Sequence, residues 1–417
     1  MLRVFHTADW HLGQSLCGFD RDYEHSCFLD WLLGQLQTRQ PDALLLSGDV
    51  FDSINPSALA QRRFYNFLAQ SHSVLPSLQI VIIAGNHDPA PRLEAPARLL
   101  DSLNMTVVGT VRRNNDETLD LRRFLVPLCD PTGDVAAILL AVPFLRPADV
   151  PLMPDANDPY LDGIRELYRQ ATEAAVKMRT DQFPEAALLA MGHCHLYGGF
   201  ESPDSERRLV VGGAEALAID VFDHAIACVA LGHLHRAQKF DKGRVRYSGS
   251  PIPLSFAESG YRHQILQLTL EGTDLSAVEE IPVPRTIRLI KIPSGGAEPI
   301  DELLPQLQTL NLDSSLPPDQ HPFLEVRVQE DGPDPTRRTR IEQVLEGQPV
   351  RLTSIKLERS TNTHAQNEED EPLDDTSLRD VQPLDVFVSA WREKYENDPD
   401  PAVIEAFREI LLQESDS

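Results

Sequence analysis

Ile226-Ala227-Cys228-Val229-Ala230-Leu231-Gly232-His233-Leu234-His235 is an apolar run that stops at a glycine and delivers two histidines two residues apart. Four more segments share this design. Leu2–Phe5 leads to Thr7-Ala8-Asp9-Trp10-His11, and Ala43–Leu46 leads to Ser47-Gly48-Asp49. Ile80–Ala84 leads to Gly85-Asn86-His87-Asp88, and Ala186–Met191 to Gly192-His193-Cys194-His195. Short continuous apolar runs suit strands buried on both faces. Ligand-type side chains at their carboxyl ends converge on one rim, the usual place for a site in an α/β sheet. Each signal is weak alone. In series they supply carboxylates, an amide oxygen and imidazoles, a mixed N/O set for two cations such as Mn²⁺, Fe²⁺ or Zn²⁺.

Between these runs, Cys27–Leu36, Ala58–Leu68 and Leu93–Leu103 carry apolar residues at helical spacing. Strand–helix alternation gives an α/β (α+β) class, with a first domain over residues 1–284. Residues 111–160 hold several prolines and read as loops or an insertion. A second α/β unit spans 285–359: strand Ile287–Ile292, helix Ile300–Leu310, strand Phe323–Val328, helix Thr336–Leu345 and strand Val350–Leu357. An acidic linker (360–380) and a helical tail (381–417) follow. In the tail, Leu384, Phe387, Val388, Trp391 and Tyr395 share one helix face. Val403, Ile404, Phe407 and Leu411 share another, behind Asp400 and Pro401 as its N-terminal cap. Two such helices suit docking on another protein, or folding back on the parent domain.

Hydrophobic content of 41% and charged content of 24% over 417 residues are those of a globular protein of two to three domains. No run nears the ~18 apolar residues of a membrane span, and the early polar residues at the N-terminus do not suit a signal peptide. A cytoplasmic protein is expected. The five cysteines are an odd set without a C-x-x-C pair. They are therefore expected to be reduced and mostly buried, with Cys194 the exception between two histidines. A net charge of −26 should repel nucleic acid, so a DNA substrate requires bound metals or a basic partner to offset that field.

The series Asp9-x-His11, Gly48-Asp49, Gly85-Asn86-His87-Asp88, Gly192-His193 and Gly232-His233-x-His235 resembles the calcineurin-like metallophosphoesterases. Within that family it is most similar to the bacterial DNA-nuclease branch. His6–Gly13, Gly48–Asp52, Gly232–Arg236 and Tyr247–Phe256 carry that likeness. The resemblance implies a four-layer α/β/β/α sandwich whose small second unit is a capping domain. It implies Asp9, His11, Asp49 and His235 around one metal ion. Asp49, Asn86, His193 and His233 would hold the other, with Asp49 bridging and Mn²⁺ the expected ion. His195 could replace His193 as ligand.

His87 would protonate the leaving oxygen, oriented by Asp52 or, alternatively, by Asp88. Arg92 and Arg236 could hold substrate phosphates, or serve as surface ion-pair residues. The implied activity is a Mn²⁺-dependent 3′-to-5′ duplex exonuclease and single-strand or hairpin endonuclease working with an SMC-like ATPase. A homodimer through helices 58–68 and 93–103 is also implied. The competing reading is a small-molecule phosphodiesterase or phosphatase.

Overall fold

The computed structural model describes residues 1–202, 216–330, 332, 334–359 and 404. The acidic linker and the tail helices lie outside the described residues, apart from Ile404, which is helical.

The apolar runs form the centre of two six-stranded sheets. The first has the order 274–282, 264–271, 2–7, 43–47, 79–83, 105–108; its last four strands are parallel. The second has the order 238–240, 245–247, 228–232, 187–193, 135–141, 125–129, with the four inner strands parallel. Side chains alternate across a strand, so a run buried on both faces must feed two cores. Leu45, Val81 and Ile83 enter the core between the sheets, which the second sheet completes with Leu189, Met191 and Ala230. Their neighbours Leu44, Leu46, Ile80 and Ile82 face outward onto Phe28, Leu32, Phe64 and Phe67. These belong to helices Asp22–Arg39 and Ala58–Val74. Helix Pro159–Gln182 packs Ile164, Leu167, Ala171 and Ala175 into the core of the second sheet. Helices, sheet, sheet, helix: the four layers implied by the resemblance are present.

Several local expectations need correction. The helix foreseen over Leu93–Leu103 is two short helices, Ala90–Glu94 and Ala97–Asp101. Pro96 separates them because it has no N–H to continue the ladder. Residues 111–160 are not all loop: strands Leu125–Cys129 and Val135–Ala141 pair antiparallel at the end of the second sheet. Pro127 is tolerated there because its strand is an edge, where one side needs no ladder donor. Helix Pro159–Gln182, unforeseen in the sequence, starts at Asp158, whose carboxylate accepts from Tyr160 N and Leu161 N. The cysteines are reduced but not mostly buried: only Cys228 is buried and Cys17 is exposed.

The unit beyond residue 284 is a three-stranded parallel sheet, 289–292, 323–330 and 351–359, with the middle segment central. Helices Ile300–Gln308 and Arg337–Leu345 cover it through Leu303, Leu307 and Ile341. A second cluster ties this unit to the first sheet's loops: Ile287 and Phe323 pack with Leu16 and Phe256. No helix among the described residues is long and apolar enough to cross a membrane.

Trp10, wedged between Asp9 and His11, rests edge-on against Phe28, Phe64 and Phe67 at 5.5, 6.4 and 5.2 Å. Its Nε1 donates to Thr7 Oγ1 at 2.9 Å. The first ligand loop is thus anchored in the helix-side core. Phe64→Ala is expected to cost about 3–5 kcal/mol in denaturant unfolding, whereas exposed Arg62→Gln should leave stability within about 0.5 kcal/mol. Equal losses would contradict this placement of the core.

Candidate metal centre

All five ligand segments leave the carboxyl ends of parallel strands, and the two sheets bring those ends together. Asp9 N donates to Gly48 O (3.1 Å) and His11 N to Asp49 O (3.0 Å), so the first two ligand loops run side by side. Ser47 Oγ donates to Ala230 O across the sheets (3.0 Å), and His233 N donates to Asp9 Oδ1 (2.9 Å). The backbone is strained where it turns the ligands inward. Asp9, His11, Asp49 and His233 have φ of 55°, 45°, 49° and 104°. A left-handed conformation costs a residue with a Cβ about 1–2 kcal/mol, and such strain gathers at functional sites. Two glycines make the approach possible. A Cβ on Gly48, itself at φ 86°, would lie 2.3 Å from His193 Nδ1; one on Gly85 would lie 2.1 Å from Asp49 Oδ1.

The donor atoms fall into two buried groups. Asp9, His11 and His235 form one; Asp9, Asp49 and His193 form the other, each within 4.8 Å of one another. Asp49 reaches towards both: its Oδ2 lies 3.6 Å from His11 Nε2 and 3.3 Å from His193 Nε2. Asn86 Oδ1 is 2.9 Å from His193 Nε2 and 3.2 Å from His233 Nδ1. Asp9 Oδ2 and His11 Nε2 are buried without a hydrogen-bond partner, which is costly unless a cation satisfies them. Carboxylate, amide and imidazole donors without a thiolate fit divalent cations. Cys194 belongs to none of the donor groups among the described residues, and desolvation pushes its thiol up to about 12. Among the described residues the donor groups contain His193 and not His195, whose Nδ1 lies 3.2 Å from Glu201 Oε1.

Outer contacts fix the imidazoles. His193 Nδ1 donates to Ser47 O (2.9 Å), His235 Nδ1 meets Glu258 Oε1 (2.9 Å), and His11 Nδ1 meets Asp52 Oδ1 (3.2 Å). Each leaves Nε2 for the centre, the arrangement typical of metal-binding histidines. Glu258 went unnoticed in the sequence. It is fully buried, and its Oε2 accepts from Leu254 N at 2.8 Å. Its nearest signal was the Tyr247–Phe256 stretch two residues earlier.

His87 Nδ1 donates to the main-chain carbonyl of Asp52 at 2.8 Å, so Asp52 orients His87 through its backbone while its carboxylate serves His11. Asp88 has a different role from the one foreseen for it. Its carboxylate accepts from Gly85 N, Phe51 N and Val50 N at 2.8, 2.9 and 3.2 Å, stitching the second and third ligand loops together. Burial and the neighbouring Asp49 charge push its pKa up to about 6. Arg92 is exposed and donates to Asn55 Oδ1 at 3.1 Å. Arg236 lies over the rings of Phe200 and Tyr261.

Comparison with known proteins adds the following. The calcineurin-like phosphoesterase profile matches residues 2–237, and the type 5 capsule protein repressor C-terminal domain profile matches residues 283–395. The chain is 42% identical to the SbcD component of the SbcCD nuclease of Rhodobacter capsulatus over 370 residues, covering 86% of this chain and 88% of that protein. It is 31% identical to the Escherichia coli K12 protein of the same name over 388 residues, 91% of each. Among solved structures, a dimetal phosphatase from Danio rerio is a distant likeness, with a TM-score of 0.38 at 12% identity over 68% of this chain and 99% of that one.

Burial opposes ionisation of both Asp49 and His193, but their mutual attraction outweighs it. The Asp49 carboxyl is held far below its usual range and His193 is raised to about 9. In the metal-free protein His193 is therefore protonated at neutral pH, whereas a cation accepts only the neutral ring. Metal uptake should expel that proton, so apparent affinity for Mn²⁺ should rise with pH up to about 9. Calorimetry in buffers of different ionisation enthalpy reads the released proton directly; pH-independent binding without proton release would contradict the assignment.

Proposed function

This chain belongs to the calcineurin-like phosphoesterases, in the SbcD branch of the SbcCD nucleases, and on that premise we propose that it is the DNA-cleaving component of an SbcCD-type complex. It is a metal-dependent hydrolase. The reading extends to a Mn²⁺-dependent 3′-to-5′ duplex exonuclease that also opens single strands and hairpins, in DNA repair, recombination and replication. The observation that carries it is the pair of buried donor groups that share Asp9 and are linked by Asp49, with Asp9 Oδ2 and His11 Nε2 buried and unsatisfied.

Asp9, His11, Asp49 and His235 would hold one ion; Asp49, Asn86, His193 and His233 the other. Two such ions supply Lewis-acid polarisation of the phosphate and an acidified water. The remaining work falls to the chain's own groups. With Nδ1–H committed to the Asp52 carbonyl, His87 holds or gives a proton at Nε2, the atom suited to the leaving 3′-oxygen. The Asp52 carboxylate keeps His11 in the tautomer that presents Nε2. Arg236 and Arg92 provide guanidinium groups for flanking phosphates.

The acidic chain fits a complex better than a stand-alone DNA binder: with a net charge of −26, most of the basic surface that a long duplex needs would come from a partner. An SMC-like ATPase, SbcC, is the partner, and the tail beyond residue 380 is the segment that docks on it. The α/β unit over 285–359 caps the nuclease domain of residues 1–284 and shapes DNA access. A homodimer through the segments near 58–68 and 93–103 is supported by exposed Ile54, Leu59 and Leu99. A cytoplasmic location accords with these roles.

The test is degradation of end-labelled linear duplex DNA by the full chain with Mn²⁺, with and without an SbcC-type ATPase. Asp49→Ala should reduce cleavage by more than about 100-fold, beyond the 10–100-fold typical of losing an outer contact. Turnover of a mononucleotide diester with no DNA cleavage, even with the ATPase present, would replace this reading by a small-molecule phosphodiesterase.

A further inference from the structure

Four cationic side chains of this acidic protein gather in one cleft, and one of them, Arg236, follows the donor His235 in sequence. A cleft of about 510 Å³ is lined by strands 238–240 and 245–247 of the second sheet and by strand 264–271 of the first. Arg236, Lys239, Arg246 and Arg262 line it against one carboxylate, Glu280. Glu280 lies 3.6 Å from Arg262, and both side chains are exposed, 64% for the arginine and 42% for the glutamate; such a pair neutralises little. In a chain of net charge −26, four cations against one anion make a local field opposite in sign to that of the molecule.

The mouth of this cleft is built from rings. Arg236 immediately follows the donor His235, and its guanidinium lies 4.6 Å from the Phe200 centroid and 5.7 Å from that of Tyr261. The two rings are 6.4 Å apart, near perpendicular. Phe200 is pinned by a two-way amide contact: its N–H donates to Gln238 Oε1 at 2.7 Å, and Gln238 Nε2 donates to its carbonyl at 2.9 Å. Despite this anchoring the Phe200 ring is 46% exposed, and nearby Tyr197 is 83% exposed. Arg236 has no carboxylate within ion-pair distance among the described residues, so its charge is not spent on a neighbour. Fixed, exposed rings interleaved with guanidinium groups are what single-stranded nucleic acid requires. An unstacked base lies on a ring or guanidinium plane, and phosphates follow the cations.

We propose that this cleft binds a single-stranded stretch of the nucleic-acid substrate, one unstacked base resting on the Phe200–Tyr261–Arg236 platform, where the Arg236 N–H groups also meet its flanking phosphate, and the next phosphates on Lys239 and Arg262. The inference rests on the nuclease reading and adds to it where an unpaired strand lies relative to His235. A duplex end would have to unpair to enter, because a stacked base cannot reach a ring face.

Equilibrium binding of fluorescein-labelled dT12 to the full chain in EDTA tests it without any cleavage. Wild type should bind dT12 more tightly than a 12-base-pair blunt duplex. Phe200→Ala and Arg236→Gln should each weaken dT12 binding about tenfold. Arg262→Gln should lower the slope of log affinity against log salt by about 0.7. Arg165→Gln, on an exposed helix face, is the charge-matched control and should change neither. Unaltered binding by all three cleft variants, or no preference of wild type for dT12 over duplex, would overturn the proposal. Failure of the nuclease reading looks different: dT12 would bind as described, yet Mn²⁺ would bring no cleavage of it.

Discussion

The structure turns on Asp49, a carboxylate buried where two sheets meet. Its Oδ1 accepts the His87 N–H at 2.9 Å while its Oδ2 lies between His11 and His193. Burying such a charge is expensive unless it is matched, and everything around it supplies the match. Gly85 withholds a side chain that would collide with it, and Asp88 fastens its loop through three backbone N–H groups. The ring of imidazoles is held by Ser47, Asp52 and Glu258 on the far side. The strained φ values at Asp9, His11, Asp49 and His233 are tolerated because two cores, one on each face of the first sheet, over-determine the loops.

That arrangement reaches beyond the sandwich. Leu16 follows the first ligand loop and Phe256 precedes Glu258, and both pack with Ile287 and Phe323 of the small α/β unit. Arg351 of that unit lies 3.7 Å over the Phe323 ring, and buried Arg21, paired with Glu24, lies 5.9 Å from it. The small unit therefore rests on the same loops that hold His11 and His235. A contact of this kind lets the small unit and the donor cluster share one support.

Much of this was legible in the sequence because the constraint is local. A strand buried on both faces has to be continuously apolar, and a ligand at its end needs a small residue before it. The pattern therefore announces Asp9, His11, Asp49, Asn86, His193, His233 and His235 one strand at a time. What escaped notice depends on distance along the chain. Glu258 reaches His235 from 23 positions away, and Asp88 reaches Phe51 from 37. No periodicity encodes either contact. Pro96 was visible, yet the apolar spacing across it suggested one helix where the missing N–H makes two. In residues 111–160 the prolines concealed the Val135–Ala141 run, an ordinary buried strand beside a proline-bearing edge.

The most direct test of the two-ion centre is electron paramagnetic resonance of the metal-free chain titrated with Mn²⁺. Two ions sharing Asp49, about 3.5–4 Å apart as in two-metal sites, should bind to a stoichiometry of two and give an exchange-coupled spectrum. Saturation at one equivalent with the six-line signal of an isolated Mn²⁺ ion would contradict the account at its centre.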